Sequence, residues 1–405
     1  MTAEGGNVVN GHGNGPTNGH GIVNGNGHGN GNGHAGGDVL LTGTTGFLGM
    51  ELLARYLERG DRRIVALVRA GSHEGARARV DAVLENLFGS RAPELRGRVD
   101  AVAADMTAPG LGLTEHERER LAERVTTIVH SAASVSFSLP LEEAREINLA
   151  GTRRMLELAE LARERGGLDC YGHVSTAYVA GNHAGRFAEC DLDVGQAFHN
   201  SYERSKFEAE QLVRSHDALP STILRPSIVV GDSNNGWTAA FNVLYWPLRA
   251  FARGLFREIP AIPSAPVDVV SIDYVADATY ALCESGRGVG STYHLTAGPD
   301  ATTMDEIAGL ASRYFRRPLP TVMAPSEFAA KPRGGAEAKA LEAGSMYFPY
   351  MAIGAVFDDA ATRAALEPDG IRASPLGEYM ERLLDFATRS RWGKRPIARV
   401  DAFAA

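Results

Sequence analysis

A doubly wound parallel α/β sheet with a smaller, mostly helical C-terminal lobe is the fold class that this 405-residue chain predicts. Three observations predict it. From residue 38 to residue 224, apolar runs of strand length alternate with amphipathic runs of helix length, which builds a parallel sheet covered on both faces. Three glycines spaced three apart, Gly43, Gly46 and Gly49, stand between the first strand and the first helix. Beyond Gly231 the alternation breaks into an aromatic, proline-punctuated stretch, and from about residue 296 the pattern is mostly helical.

The elements follow in order. Residues 1–37 are nearly all Gly, Asn and His. They read as a disordered tail, because so little apolar surface cannot offset the entropy lost on ordering. Its His12, His20, His28 and His34 match no compact ligand spacing, so no metal is expected. Asp38-Val39-Leu40-Leu41 is the first strand. Met50 to Arg59 continues as a helix with Leu52, Leu53, Tyr56 and Leu57 on one face. Between them Gly43 lets the chain turn sharply, Gly46 removes a Cβ that would block a pyrophosphate, and Gly49 lets the helix pack closely. Phosphates then meet free N–H groups at a helix N-terminus. Strand, glycine turn and helix together imply a bound dinucleotide and a Rossmann-type domain.

The second strand, Arg63 to Val68, ends in Arg69. An acidic residue here would suit a ribose 2′-hydroxyl, whereas a planar cation suits a 2′-phosphate, so the cofactor expected is NADPH. Asp61 lies nearer the usual acidic spacing, but it follows Gly60 in the turn before the strand and should point away. Arg79 falls on the next helix, in reach of the same phosphate. The alternative for both arginines is a solvated surface charge.

Arg98 to Ala103 reads as a third strand and Val125 to Val129 as a fourth. Glu142 to Arg165 reads as one long helix, Cys170 to Val174 as the fifth strand and Ser221 to Leu224 as a sixth. Past Gly231 come Trp237, Phe241, Tyr245, Trp246 and Pro247. Val267 to Val270 returns as a strand, followed by a helix from Ile272 to Glu284. The implied division is a tail over 1–37, a nucleotide-binding domain over 38–231, a substrate-lobe insertion over 232–264, a return to the first domain over 265–295, and a C-terminal substrate lobe over 296–405. If Leu248 to Arg257 is helical, Arg249, Arg253 and Arg257 line one face, where an acidic carrier protein or the phosphates of CoA would arrive.

Tyr202 and Lys206 stand at i and i+4 on one helix face. The pair alone is common, but it follows the fifth strand, whose C-terminal end carries Ser175 and Thr176. Ligands of open α/β sheets bind beyond strand C-termini. A hydroxyl, a phenol and a lysine that lowers the phenol's pKa form a proton-transfer set for a carbonyl undergoing hydride addition.

Composition narrows the classes further. A net charge of −8 and a pI near 5.9 argue against general nucleic-acid affinity. No apolar run approaches a membrane span, and the N-terminus lacks the cationic start and apolar middle of a signal peptide. Cys170, Cys190 and Cys283 are scattered, as expected of free thiols in a cytoplasmic protein.

In motif order the chain resembles the extended short-chain dehydrogenase/reductase superfamily. The motifs are Thr42 to Gly49, Asp105, His130-Ser131-Ala132-Ala133, Asn148-Leu149-Ala150-Gly151-Thr152, Ser175-Thr176, Tyr202/Lys206 and Arg225-Pro226-Ser227. The resemblance implies that Gly43, Thr45, Gly46, Phe47, Leu48 and Gly49 hold the phosphates, and that Asp105 and Met106 border the adenine. Ser131, Ala132 and Ala133 would line the nicotinamide side, and Pro226, Ser227 and Ile228 would hold its end. Thr176 aligns best with the catalytic hydroxyl, with Ser175 as second choice. Tyr202 would be the proton donor, Lys206 would also contact the nicotinamide ribose, and Asn148 would support Lys206 and an active-site water.

Within that superfamily the chain resembles the thioester reductase branch, which includes fatty acyl-CoA reductases and the reductase domains of carboxylic acid reductases and peptide synthetases. The residues responsible are Thr42 to Gly49, Leu67-Val68-Arg69-Ala70, His130 to Phe137 and His173 to Val179, with Arg79 at a basic position of the branch. The resemblance implies NADPH-dependent reduction of an acyl thioester, carried on CoA or a carrier protein, to an aldehyde and possibly on to the alcohol. With only the tail ahead of the fold, the thioester is expected to arrive on a separate molecule. Two rival readings keep the same fold. One is an NADP-dependent dehydrogenase, reductase or epimerase acting on a sugar nucleotide or a steroid-like alcohol. The other is a non-catalytic NADP-binding redox sensor. The apolar, aromatic stretch 237–250 leans toward an acyl chain, and retention of Thr176, Tyr202 and Lys206 counts against a sensor.

Overall fold

The computed structural model describes residues 36–403 except 242, 256, 332 and 333; the expected tail and its four histidines lie outside the described residues. Seven strands form one parallel sheet: β1 (Asp38–Thr42), β2 (Ile64–Val68), β3 (Val99–Ala103), β4 (Val125–His130), β5 (Cys170–Val174), β6 (Ser221–Pro226) and β7 (Ser291–Leu295). Their order is β7-β6-β5-β4-β1-β2-β3. The chain reverses its direction of travel between β1 and β4, so the crevice for a ligand opens at the C-terminal ends of these two strands. There Thr42 pairs with His130, and His130 with His173.

Both faces of the sheet are covered. Helices α1 (Phe47–Arg59), α2 (His73–Phe88) and α7 (Ile272–Glu284) pack on one face through Leu53, Tyr56, Leu84, Val275 and Leu282. On the other, α3 (Glu115–Arg124), α4 (Gly151–Arg165) and α5 (Ser201–Arg214) contribute Leu121, Leu156 and Val213. A second core joins the segment after β5 to later parts of the chain. Tyr178 and Phe187 meet Tyr245 and Leu248 of α6 (Tyr245–Ala252), Ile307 of α8 (Met304–Phe315), and Tyr379 and Leu383 of α9 (Leu376–Arg389).

Several expectations change in detail. The helix expected over 142–165 is divided: Leu141–Arg145, a π-helical turn at Glu146–Ala150, then α4. The strand expected over 267–270 is two short ones about Asp268. Pro266–Val267 pairs antiparallel with Thr302–Thr303, and Val269–Ser271 pairs parallel with Ile228–Val230. The chain changes partner there because the buried Asp268 carboxylate accepts the Ala297 and Gly298 N–H groups, each at 2.9 Å. Strand β7 had no counterpart in the sequence reading.

The arginine stripe does not form. Helix α6 ends at Ala252, Gly254 takes the left-handed φ of 72°, and Arg257 leads into the strand Glu258–Pro260. A residue at positive φ closes a helix, so Arg257 leaves the line of Arg249 and Arg253. Among the described residues, no helix is long and apolar enough to cross a membrane.

Candidate active site

The glycine turn is built by close approach. Gly43 has φ 76°, and a Cβ there would lie 3.0 Å from the Ala132 nitrogen. A Cβ on Gly49 would lie 2.0 Å from the Gly43 carbonyl oxygen. Gly49 therefore admits the helix to the turn itself, rather than to the sheet at large. Helix α1 starts at Gly46 with no side-chain cap and no acidic residue in its first turn. Its exposed N–H groups and positive dipole end suit a phosphate. Thr45 accepts a hydrogen bond from Arg79 at 3.2 Å, and Arg79 also donates to the Arg69 carbonyl. Arg69 and Arg79 are thus brought together, both exposed, beside the glycine turn. Asp61 is exposed at the opposite, N-terminal end of β2, as expected. A glycine cradle that a Cβ would fill, with the Arg79 guanidinium at its edge, fits the phosphates of a dinucleotide.

The other residues expected to face the nucleotide lie at or just after the C-terminal ends of β1, β3, β4 and β6. Phe47 packs against Trp237 at 5.6 Å, and Leu48 lies on the core of that face. Asp105 accepts the Thr107 N–H at 2.9 Å and its hydroxyl at 2.8 Å, which holds the carboxyl below its ordinary range. The Met106 carbonyl accepts from Arg154 at 2.6 Å. Ser131 and Ala132 donate their N–H groups to Thr42 Oγ1, each at 3.0 Å, and with Ala133 they continue half-buried from β4. Pro226, Ser227 and Ile228 are buried where β6 gives way to the pairing with Val269.

At the end of β5, Ser175 and Thr176 part company. Ser175 donates to Glu210 at 2.7 Å. Glu210 is fully buried and bound by Arg225 at 2.7 Å, so this hydroxyl belongs to an ion pair behind the site. Burial works to raise the Glu210 carboxyl, but Arg225 and Arg214 hold it below its ordinary value. Thr176 lies beside the phenol of Tyr202. Helix α5 is capped by Asn200, whose side chain accepts the Glu203 N–H at 3.0 Å, and this fixes the first turn that carries Tyr202. One turn on, the Lys206 ammonium donates to the Val174 carbonyl at 2.7 Å.

The electrostatics differ from the sequence expectation. The lysine was expected to lower the phenol's pKa. Instead burial pushes Tyr202 up to about 12, with the Thr176 hydroxyl acting in the opposite direction. The phenol is held neutral. Burial also lowers Lys206 to about 8, against the pull of Glu210. Asn148 sits in the π-turn with its amide fully used: it accepts the Ser134 N–H at 2.8 Å and donates to the Ser134 carbonyl at 3.1 Å and to Ser205 at 2.9 Å.

The sequence reading missed an aromatic wall. Phe137 lies 5.6 Å from Tyr202, 5.8 Å from Tyr347 and 5.1 Å from Tyr350, ring centre to ring centre. Tyr347 in turn is 6.5 Å from Trp246 on α6. Asn200 donates to the Tyr350 hydroxyl at 2.9 Å. Phe137 closes a motif that was singled out, yet its partners Tyr347 and Tyr350 lie more than 200 residues on, where no local pattern points to them. Glu210 was legible: it follows Lys206 by four on the same helix face.

Comparison with known proteins agrees with this architecture. The model of an NAD-binding domain family described as Male sterility protein matches residues 41–279. The nonribosomal peptide synthetase asaC of Aspergillus flavus is 31% identical over 275 residues, which is 64% of this chain and 26% of that protein. The fatty acyl-CoA reductase wat of Drosophila melanogaster is 30% identical over 280 residues, 60% of this chain and 53% of that protein. The chain thus spans about a quarter and about half of these relatives. Among solved structures, the terminal R domain of the myxalamid PKS-NRPS pathway is 28% identical with a TM-score of 0.76, covering 90% of this chain and 94% of that one.

Proposed function

Because the chain belongs to the Male sterility protein family, in the thioester reductase branch of the extended short-chain dehydrogenases/reductases, we propose that it reduces an acyl thioester, on CoA or a carrier protein, to an aldehyde with NADPH. The observation that carries this reading is the convergence of Thr176, Tyr202 and Lys206 at the C-terminal end of β5, against an aromatic wall. The fatty acyl-CoA reductase and R-domain relatives support a thioester as the substrate. Arg69 and Arg79 support the 2′-phosphate form of the cofactor.

Bound in the crevice, the reduced nicotinamide supplies the hydride. The chain's own residues supply the rest. Tyr202 and Thr176 donate hydrogen bonds to the oxyanion that develops on the thioester carbonyl, and donors preorganised for such charge are a large catalytic contribution. A phenol held near 12 stays protonated at neutral pH and passes its proton to that oxygen. Lys206, anchored on Val174, keeps positive charge near the site. Ser175 is the support of Glu210 rather than the catalytic hydroxyl. Collapse of the hemithioacetal releases aldehyde and thiol, and a second round gives the alcohol. Phe137, Tyr347 and Trp246 suit an apolar acyl group better than a second pyrophosphate, which supports the thioester over the sugar-nucleotide reading. The division into a nucleotide-binding domain (38–231 and 265–295), a lobe (232–264 and 296–405) and a cytoplasmic setting goes with this proposal.

The test is product analysis with NADPH and either an acyl-CoA or a nucleotide sugar. Thiol release and aldehyde formed with the acyl-CoA alone support the reading. Turnover of the nucleotide sugar alone overturns it.

A further inference from the structure

Five side chains, each at most 2% exposed, join the nucleotide crevice to the helix of Tyr202: Thr42, His130, Thr152, Asn148 and Ser205. The direction of every hydrogen bond between them follows from valence. Thr42 Oγ1 accepts two N–H groups, from Ser131 and Ala132, which fills both lone pairs. Its hydrogen therefore goes to His130 Nδ1, 2.9 Å away. Burial, with the Lys206 ammonium nearby, lowers His130 to about 3, so the ring is neutral and carries one proton. With Nδ1 accepting, that proton is on Nε2, directed at Thr152 Oγ1 at 3.3 Å. Thr152 then donates to the Asn148 carbonyl at 2.6 Å. The Asn148 amide, its orientation fixed by its two bonds to Ser134, donates to Ser205 Oγ at 2.9 Å. Ser205 donates to the Tyr202 carbonyl at 3.0 Å.

The result is two one-way runs that meet in Asn148: one leads from the N–H groups of Ser131 and Ala132 to its backbone carbonyl, the other from its side-chain amide to the Tyr202 carbonyl, and together they make one line of contacts from the crevice to α5. It crosses the π-turn, where an extra residue per turn turns Asn148 toward both Ser134 and α5. We propose that His130, Thr152 and Ser205 are positioning residues that fix the first turn of α5, and with it the Tyr202 phenol, relative to the nucleotide crevice. A buried polar group costs free energy when unpaired, so each member holds its neighbours to one arrangement. The inference rests on the reductase reading for its kinetic consequence but not for the coupling itself.

Thr152→Val removes the central hydroxyl at nearly constant volume, and Thr152→Ser returns it. Thr152→Val should lower kcat for thioester reduction about tenfold, the size of one lost buried hydrogen bond. The Kd for NADPH should stay within about twofold, since the loss acts on the catalytic step, and Thr152→Ser should recover kcat. A second readout needs no turnover. NADPH should slow amide hydrogen exchange at residues 202–206 in the wild type and in Thr152→Ser, and not in Thr152→Val. Ser205→Ala breaks the line at its far end and carries the same expectation, should Thr152→Val fail to fold. Equal NADPH protection in the broken variants and the wild type overturns the proposal, as does its absence from the wild type. Protection as expected without any thioester reduction would instead count against the reductase reading.

Discussion

In the proposed mechanism the Lys206 ammonium should set the basic limit of the site's pH range. Burial holds it near 8, well under a free lysine, while Tyr202 stays protonated to about 12. The charge is therefore present at neutral pH and lost as pH rises through about 8, with the phenol still protonated. The basic limb of the kcat/KM profile should fall near 8. Lys206→Arg should lower kcat but move that limb upward, because a guanidinium keeps its proton. A wild-type limb unchanged in Lys206→Arg would assign it to another group. Arg69→Asp should weaken NADPH by tenfold or more and spare NADH, since it removes a phosphate partner and adds like-charge repulsion; comparing the two Kd values checks this. At this scale the proposed catalytic pair stood out in the sequence because Tyr202 and Lys206 are four apart on one helix. The preference for Thr176 over Ser175 came from the resemblance alone; the physical reason for it, the bond from Ser175 to Glu210 and its partner Arg225, lies 35 and 50 residues on.

The glycine turn is the element on which the proposed nucleotide binding rests. A Cβ at position 49 meets the Gly43 carbonyl, which is backbone and cannot swing aside. Gly49→Ala should destabilise the fold by about 1–3 kcal/mol, as overpacking does, and weaken NADPH by more than tenfold. Calorimetry and titration of the same sample check both; an unchanged melting temperature would show that the turn relaxes freely. The strand–turn–helix unit was legible because the contact that defines it, Gly49 against the Gly43 carbonyl, is local. The Arg249–Arg257 stripe failed for a local reason too: Gly254, within the presumed helix, takes a left-handed conformation and stops it. The π-turn at Asn148 left no sequence signal, because its cause is a set of tertiary hydrogen bonds to Ser134 and Ser205.

Across the whole molecule, the two cores are tied together through Asp268. Its buried carboxyl accepts from Ala297 and Gly298 between the pairing segments that flank it, and burial raises it to about 6. The folded state binds more protons than the unfolded state between the ordinary carboxyl value and about 6. Stability from this group is therefore greatest below that window and falls as pH rises through it, by roughly 3 kcal/mol. Denaturation at pH 4, 5 and 6 should show Asp268→Asn losing this contribution to the pH dependence; a parallel profile would place the titration elsewhere. The parallel sheet was legible from the alternation of apolar runs, and β7 was missed because five residues after a glycine-rich turn give little pattern. The aromatic wall was illegible because Phe137 meets Tyr347 and Tyr350 only in the folded chain. Tyr202 is proposed to protonate a thioester carbonyl as NADPH reduces it. The most direct test of this role uses NADPH deuterated at the transferable position with an acyl thioester, in wild type and Tyr202→Phe. Deuterium is expected on the aldehyde carbon, with one thiol released, in the wild type. In Tyr202→Phe the expected rate is at least a hundredfold lower, as for loss of a general acid, with NADPH affinity retained; near-normal deuterium transfer in Tyr202→Phe would contradict the role.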